Sequence, residues 1–235
     1  MDPIVPDYVK SDLVRLMGRI AANEHWYKQH WLSIPIWQLS EDVMRLQEIV
    51  SEVKPQWIVE TGTKFGGSAI FFASLQHLLN LNAGGVVTVD LTQYTEAVEN
   101  LRTHPHAGRV KAALVGDAAA PETVAQVRQV LDSSPGPTLV FLDDNHNAEH
   151  VYREMVQYAP LVSVGSYLVV ADTVFEDLAG TPVGTPTDKY PDVARSNPRV
   201  AVERFLSERR DFVRDTRYVG KGIGNFNDGF LRRVA

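Results

Sequence analysis

The stretch that most constrains this chain is Trp57-Ile58-Val59-Glu60-Thr61-Gly62-Thr63-Lys64-Phe65-Gly66-Gly67-Ser68. It is an apolar strand that ends on a carboxylate, breaks into glycines and continues at once into the apolar run Ala69 to Ala73. A strand, a tight glycine turn and a helix in that order put backbone N–H groups and a helix N-terminus beside whatever binds there. The expected product is a nucleotide-type cradle. The glycine spacing narrows the ligand further. A dinucleotide fingerprint starting at Gly62 requires glycine at 64, where the backbone approaches a pyrophosphate, and the chain has Lys64. Glu60 suits a cationic or hydroxyl-bearing ligand better than a phosphate. A strand-to-helix turn of some other α/β fold has the same local pattern, so the remaining strands have to decide.

Val86-Val87-Thr88-Val89-Asp90 is a second apolar strand ending on a carboxylate, introduced by Gly84 and Gly85. The segment between the two strands is helical, which makes one βαβ crossover. In such a unit the acid that ends the second strand hydrogen-bonds ribose hydroxyls. Asp90 follows Gly62 by 28 residues, more than the roughly 20 typical of dinucleotide sites. A third strand, Val110 to Val115, runs to Gly116-Asp117, although Asp117 to Glu122 with Pro121 also reads as a helix start. The fourth, Thr138 to Leu142, runs into Asp143-Asp144-Asn145-His146, and the fifth, Tyr167 to Ala171, into Asp172-Thr173. Strands alternating with helical segments imply an α/β fold with a doubly wound, mostly parallel sheet covered on both faces. Ligands then sit at the carboxyl ends of the strands, where all five carry an acid: Glu60, Asp90, Asp117, Asp143 and Asp172. Residues 211–215 and 229–234 are expected to close the sheet as an antiparallel hairpin.

Residues 8–55 read as helices, with Leu13, Leu16, Met17 and Ile20 and then Val43, Leu46, Ile49, Val50 and Val53 at helical spacing. The expected organisation is an N-terminal helical cap over 1–55 on a ligand-binding domain over 56–235, together one structural unit. The aromatic cluster Trp26, Tyr27, Trp31 and Trp37 either packs that cap down or walls a substrate pocket. Residues 173–198 are rich in Pro, Gly and Thr, and so long a loop directly after Asp172 is well placed for a lid. The formal charge is 23 − 29 = −6 with the basic residues scattered, which argues against nucleic acid. The absence of cysteine excludes a disulfide framework, a thiolate zinc site and a cysteine nucleophile. With no signal-type N-terminus and no run of 18 apolar residues, a cytoplasmic protein without a membrane span is expected.

The glycine turn with Glu60 and Lys64 resembles motif I of S-adenosylmethionine (SAM) methyltransferases. A longer series is more specific: Trp26-Tyr27, then Val59 to Ala69, then Phe141-Leu142-Asp143-Asp144-Asn145-His146, then Gly165 to Asp172, then Asn227 to Arg232. In that order they resemble the cephalosporin hydroxylase / rhamnosyl O-methyltransferase family. The resemblance implies the class I SAM methyltransferase fold, a Rossmann-like sheet, with SAM held by Glu60, Gly62, Thr63, Gly66, Ser68, Asp90 and Asp117. It also implies a magnesium site. The family usually has Glu-Asp where this chain has Ala171-Asp172. Ala171-Asp172-Thr173 is nearer the Ala-Asp-Asn of catechol-type metal-dependent methyltransferases, which suggests Asp143, Asp172 and Thr173 as ligands. Oxygen donors suit a hard divalent cation, and two acids brought together without one repel and raise a pKa.

The implied activity is SAM-dependent, magnesium-assisted O-methylation of a rhamnose-like sugar hydroxyl in a glycosylated secondary metabolite. A sugar hydroxyl is hardly ionised at neutral pH, so a metal that lowers its pKa and a nearby base are both expected. His146 is the first choice for that base and Asp144 the second, beside Asp143. The expected partners are a small-molecule glycosylated acceptor and further copies of the chain in a homo-oligomer, with neither nucleic acid nor membrane. Two other readings stay open. One is a cephalosporin-hydroxylase-type component, against which Lys64 argues where a nicotinamide is needed. The other is a non-catalytic SAM-fold partner subunit, which Ala171 favours.

Overall fold

A computed structural model describes residues 11, 12, 15, 18, 28–181, 184, 186–218 and 224–235. Leu13, Leu16, Met17, Ile20, Trp26 and Tyr27 of the expected cap lie outside the described residues. A short antiparallel hairpin, β1 (His30–Trp31) with β2 (Ile34–Pro35), precedes α1 (Ser40–Val53). Then follow β3 (Trp57–Thr61), α2 (Gly67–Leu78), β4 (Gly85–Asp90), α3 (Thr95–Thr103), β5 (Val110–Val115), α4 (Pro121–Leu131) and β6 (Thr138–Leu142). The chain ends with α5 (Ala148–Tyr158), β7 (Tyr167–Val170), α6 (Phe175–Leu178), α7 (Pro198–Glu208), β8 (Phe212–Arg214) and β9 (Phe230–Arg233).

The seven-stranded sheet has the order β5-β4-β3-β6-β7-β9-β8. Neighbours from β5 to β7 are parallel, while β9 is antiparallel to both β7 and β8. The expected closing hairpin is therefore present. Strands β3, β6 and β7 are buried along their whole length, because helices cover both faces and the strand sequences are correspondingly apolar throughout. One core cluster joins Val59, Val87, Val140 and Leu168 to Met155 of α5 and Phe205 of α7. The other joins Ile58, Val86 and Leu139 to Ile49 and Val50 of α1 and to Phe71 and Phe72 of α2. Helix α1 is thus part of the same core as the sheet.

The chain winds outward from β3 to β5, then crosses back to β6 on the other side of β3. A reversal of this kind opens a crevice at the carboxyl ends of the two strands. Here it brings the Gly62 turn against the end of β6, so closely that a Cβ at Gly62 would stand 2.2 Å from the Asp143 carbonyl oxygen.

The hairpin at residues 30–35 is not legible in the sequence. Its turn residues Leu32 and Ser33 both have positive φ, 46° and 75°, the geometry of a primed two-residue hairpin that Asn-Gly would normally announce. Tertiary contacts hold it instead. The Trp31 indole N–H donates to Ser74 Oγ at 3.0 Å, and its ring meets Phe71 edge-on at 5.0 Å. The hairpin also needs Gly67, where a Cβ would lie 2.1 Å from the Pro35 carbonyl oxygen. Docked in this way, it carries Trp37 and Gln38 over the strand ends.

Candidate active site

The ends of the parallel strands open into a cleft of about 760 Å³, within the roughly 300–1,000 Å³ usual for small-molecule sites. Gly62, Thr63, Lys64, Gly67 and Ser68 form one wall. Positive φ at Gly62, Lys64 and Gly66 (92°, 46° and 81°) folds the turn back on itself and delivers the N-terminus of α2, which no side chain caps. Asp90, at the end of β4, accepts the Lys64 backbone N–H at 2.9 Å and the Thr92 N–H at 3.1 Å, one on each oxygen. A carboxylate fixed by two backbone donors is a rigid acceptor for a ligand's hydroxyls. Thr63 shares a 2.5 Å hydrogen bond with the Thr88 hydroxyl.

On the opposite side, Asp143, Asp144, His146 and Asp172 converge. His146 Nε2 lies 2.8 Å from Asp172 Oδ2, and its ring is sandwiched by Tyr190, stacked at 4.7 Å, and Phe175 at 4.3 Å. Those two rings come from the 173–198 segment, which also contributes Leu178 and Lys189 to the lining. Buried Gln38 reaches down from the hairpin and donates its amide N–H to Asp143 Oδ2 at 2.5 Å. Burial first, and then the charge of Asp172, push the Asp143 carboxyl well above its ordinary range, and Gln38 offsets part of this. Burial also raises Asp144, but the hydrogen bond and charge of His150 outweigh it, so this carboxyl ends below its ordinary range. Asp90, Asp117, Asp143, Asp144 and Asp172 against Lys64 and Lys189 make the cleft predominantly acidic, a field that favours a cationic ligand.

The structure brings together nine of the sequence-predicted residues as cleft lining: Gly62, Thr63, Ser68, Asp90, Asp117, Asp143, Asp144, His146 and Asp172. Asp117 also makes a local turn, accepting the Ala119 N–H at 2.9 Å, so the binding and structural readings of this residue coexist. Three predicted residues do not line the cleft. Glu60 lies inside β3 rather than at its end, because the strand continues to Thr61, and its side chain is wholly buried. Burial lifts its carboxyl to about 7, offset in part by the hydroxyls of Thr88 and Ser68. Those hydroxyls act on it without making a well-formed hydrogen bond to either oxygen. Gly66 packs against the Leu101 side chain. The Thr173 hydroxyl donates to the Asn225 carbonyl and accepts the Asp228 N–H, both at 3.3 Å. The tryptophans divide between the two readings: Trp31 packs the hairpin on α2, while Trp37 lines the cleft.

Sequence reasoning did not find Gln38, Tyr190, His150 and Glu154. The first two reach the site only through long-range folding and carry no local signal. His150 and Glu154 stand four apart on α5 and belong to no motif, yet an i, i+4 His–Glu pair after an acid-rich strand end is a readable metal-ligand spacing.

The fold and the cleft define a class I SAM methyltransferase architecture. The chain matches the model of the family described as Rhamnosyl O-methyltransferase/CmcI over residues 23–234, and it belongs to that family. The rhamnosyl O-methyltransferase of Mycobacterium bovis (strain BCG / Pasteur) is 32% identical over 160 residues, 67% of this chain and 61% of that protein. The Mycobacterium leprae protein of the same name is 30% identical over 158 residues, 67% of this chain and 65% of its own length. The match thus spans less than two thirds of these relatives. Among solved structures, CmcI with Mg and SAM superposes with a TM-score of 0.61 at 18% identity, covering 89% of this chain and 78% of CmcI. TomG of Streptomyces achromogenes, an O-methyltransferase in complex with SAM, gives 0.56 at 16% identity over 99% and 92%. At such identities the likeness is one of fold.

Proposed function

We propose that this chain is a SAM-dependent, magnesium-assisted O-methyltransferase whose acceptor is a hydroxyl of a rhamnose-like sugar on a small molecule. The observation that carries the reading is the convergence, in one acidic cleft, of a glycine cradle, the doubly anchored Asp90 and the His146–Asp172 pair. Family membership supports it, as do the names of the mycobacterial relatives.

In this reading SAM lies along Gly62 to Ser68, with its ribose hydroxyls donated to Asp90 and its base toward Asp117. Glu60 sits beneath the turn as a buried acid whose unpartnered oxygens favour the ligand's positive charge. The donor set also fits a hard cation: Asp143 and Asp172 are close enough for Asp172 to raise Asp143, a repulsion that a divalent ion removes. Asp143 and Asp172 would hold a magnesium ion, which would supply Lewis acidity toward an acceptor oxygen. Thr173 is not part of this set, and Ala171 contributes no oxygen.

The chain's own groups supply the rest. With its Nε2–H donated to Asp172, His146 has Nδ1 left to accept the acceptor's proton, and the flanking Tyr190 and Phe175 hold the ring against rotation. These aromatics and Trp37 exclude water and offer apolar faces to a sugar. Alignment of oxygen and methyl carbon is the main task of such a site.

The test is a panel of rhamnosylated acceptors with labelled SAM, read by mass spectrometry, alongside calorimetric titration with SAM and with NADH. Methyl transfer to a vicinal diol in preference to its monodeoxy analogue is expected. Transfer only to a catechol or a β-lactam would overturn the sugar assignment, and tight NADH binding the cofactor. SAM binding with no transfer to any hydroxyl would favour a non-catalytic partner subunit.

A further inference from the structure

A second knot of polar side chains beside the cleft has no part in the methyl-transfer reading. Asp143 is engaged by Gln38, whereas its neighbour Asp144 is engaged by His150 of α5: His150 Nε2 stands 3.2 Å from Asp144 Oδ2 and 3.7 Å from Glu154 Oε2. One ligand atom from each of Asp144, His150 and Glu154 falls within 4.8 Å of the other two.

The second observation is what these groups lack. Glu154 is completely buried, and although the Asp144 carboxyl and the Thr61 hydroxyl both act on it, neither of its oxygens makes a well-formed hydrogen bond among the described residues. Asp144 Oδ1 and the buried Tyr158 hydroxyl, one turn beyond Glu154, are in the same condition. Folded interiors satisfy nearly all buried polar atoms, and a local group of exceptions marks a missing ion or ordered water. Here two acids and an imidazole point at one another with four unsatisfied oxygens around them.

We propose that Asp144, His150 and Glu154 bind a divalent transition-metal ion, at a site separate from the Asp143–Asp172 pair. The donors decide the class of ion. An imidazole nitrogen with two carboxylates suits Mn2+, Fe2+ or Zn2+, whereas Mg2+ takes an all-oxygen set. Donors around one such ion stand about 3–4 Å apart, given bond lengths of roughly 2.0–2.2 Å, so small rotations of three side chains complete the site. His150 and Asp144 both line the cleft, which gives the ion a way in and leaves positions for water. The ion fastens the 143–147 loop to α5 and so positions Asp143 and His146, both carried on that loop.

The experiment uses the full chain stripped with chelator, without SAM, so its outcome does not depend on the methyltransferase reading. Co2+ is titrated as a visible-absorption probe and Mn2+ is followed by paramagnetic resonance, in the parent protein and in His150→Gln, Glu154→Gln and Asp172→Asn. At least one Mn2+ equivalent that survives Asp172→Asn is expected in the parent, whether or not Asp143 and Asp172 hold a second. His150→Gln should lose one equivalent, or weaken it at least tenfold, and lose the Co2+ band, while Asp172→Asn keeps that band. If Glu154→Gln fails to fold by circular dichroism, the half-buried His150 variant decides. A single Mn2+ equivalent abolished by Asp172→Asn would overturn the proposal. So would no Co2+ band in the parent together with an infrared carboxylic-acid signal that Glu154→Gln removes, since a proton shared between the two acids would then hold the cluster.

Discussion

Asp90 is the residue whose role can be isolated most cleanly. Its two oxygens are oriented by the Lys64 and Thr92 amides, so replacing it by alanine removes a ligand acceptor without opening the core. Asp90→Ala should weaken SAM binding by about 10- to 100-fold, since a hydrogen bond to a charged group contributes about 1.5–3 kcal/mol. Calorimetry checks this, and unchanged affinity would remove Asp90 from the site. Glu60 gives a pH signature. The folded protein holds its proton up to about 7, while the unfolded chain releases it near the ordinary 4.5. Between those values the folded state binds more protons, so stability falls as pH rises through the window and stays low above it. In Glu60→Gln this slope should shrink, leaving the variant more stable than the parent at pH 8 by up to roughly 3 kcal/mol. Urea titrations at pH 5 and pH 8 measure it, and parallel profiles for the two proteins would contradict the assignment. Asp42, buried and likewise raised to about 7, keeps a residual slope in the variant. The site carboxylates were legible at this scale because each ends a strand. The strand runs one position past Glu60, to Thr61, since its length is set by pairing with β4 and β6 and not by the apolar run alone.

At the scale of elements, the hairpin β1–β2 has the largest effect for its size. It carries Gln38 to Asp143 and Trp37 to the cleft, and its seat on α2 depends on the missing Cβ of Gly67. Gly67→Ala should force backbone apart from backbone, lowering stability by about 1–3 kcal/mol and weakening SAM binding even though position 67 keeps its N–H. Thermal denaturation with and without SAM separates the two effects. A variant with parental stability would show that the hairpin can shift freely. Helix α6, at the start of the 173–198 segment, is anchored by an ion-pair group. Arg199, nearly buried, pairs with Asp177 of the short helix α6 and with Asp228, the latter at 2.9 Å, which ties α6 to α7 and to the segment before β9. The 173–198 segment's aromatic pair on His146 could not be read from a Pro- and Gly-rich sequence, because stacking partners 29 and 44 positions apart in the chain meet only after the sheet has formed.

For the whole molecule, the proposed function predicts that chelator abolishes methyl transfer and added magnesium restores it. Full turnover in excess chelator would remove Asp143 and Asp172 from a metal role. SAM at a hundred times its dissociation constant should raise the unfolding free energy by about 2.7 kcal/mol, visible as a shift in Tm that NADH does not produce. The order β5-β4-β3-β6-β7-β9-β8 follows from rules the sequence obeys locally. Apolar strands of period-independent burial, separated by helices, can only stack as a parallel sheet covered on both sides. Acids at the strand ends then gather at one edge. The sequence alone therefore determined the sheet, the edge at which the cleft opens and most of the carboxylates there. What only the tertiary structure decided is which atoms are spent elsewhere and which are left unpaired. The Thr173 hydroxyl is engaged by Asn225 and Asp228, Gln38 arrives on a hairpin with no turn signature, and Glu154 is sealed against Asp144 and His150 without a well-formed hydrogen bond among the described residues. Period and strand-end chemistry are properties of neighbours in the chain, whereas hydrogen-bond satisfaction is a property of neighbours in space.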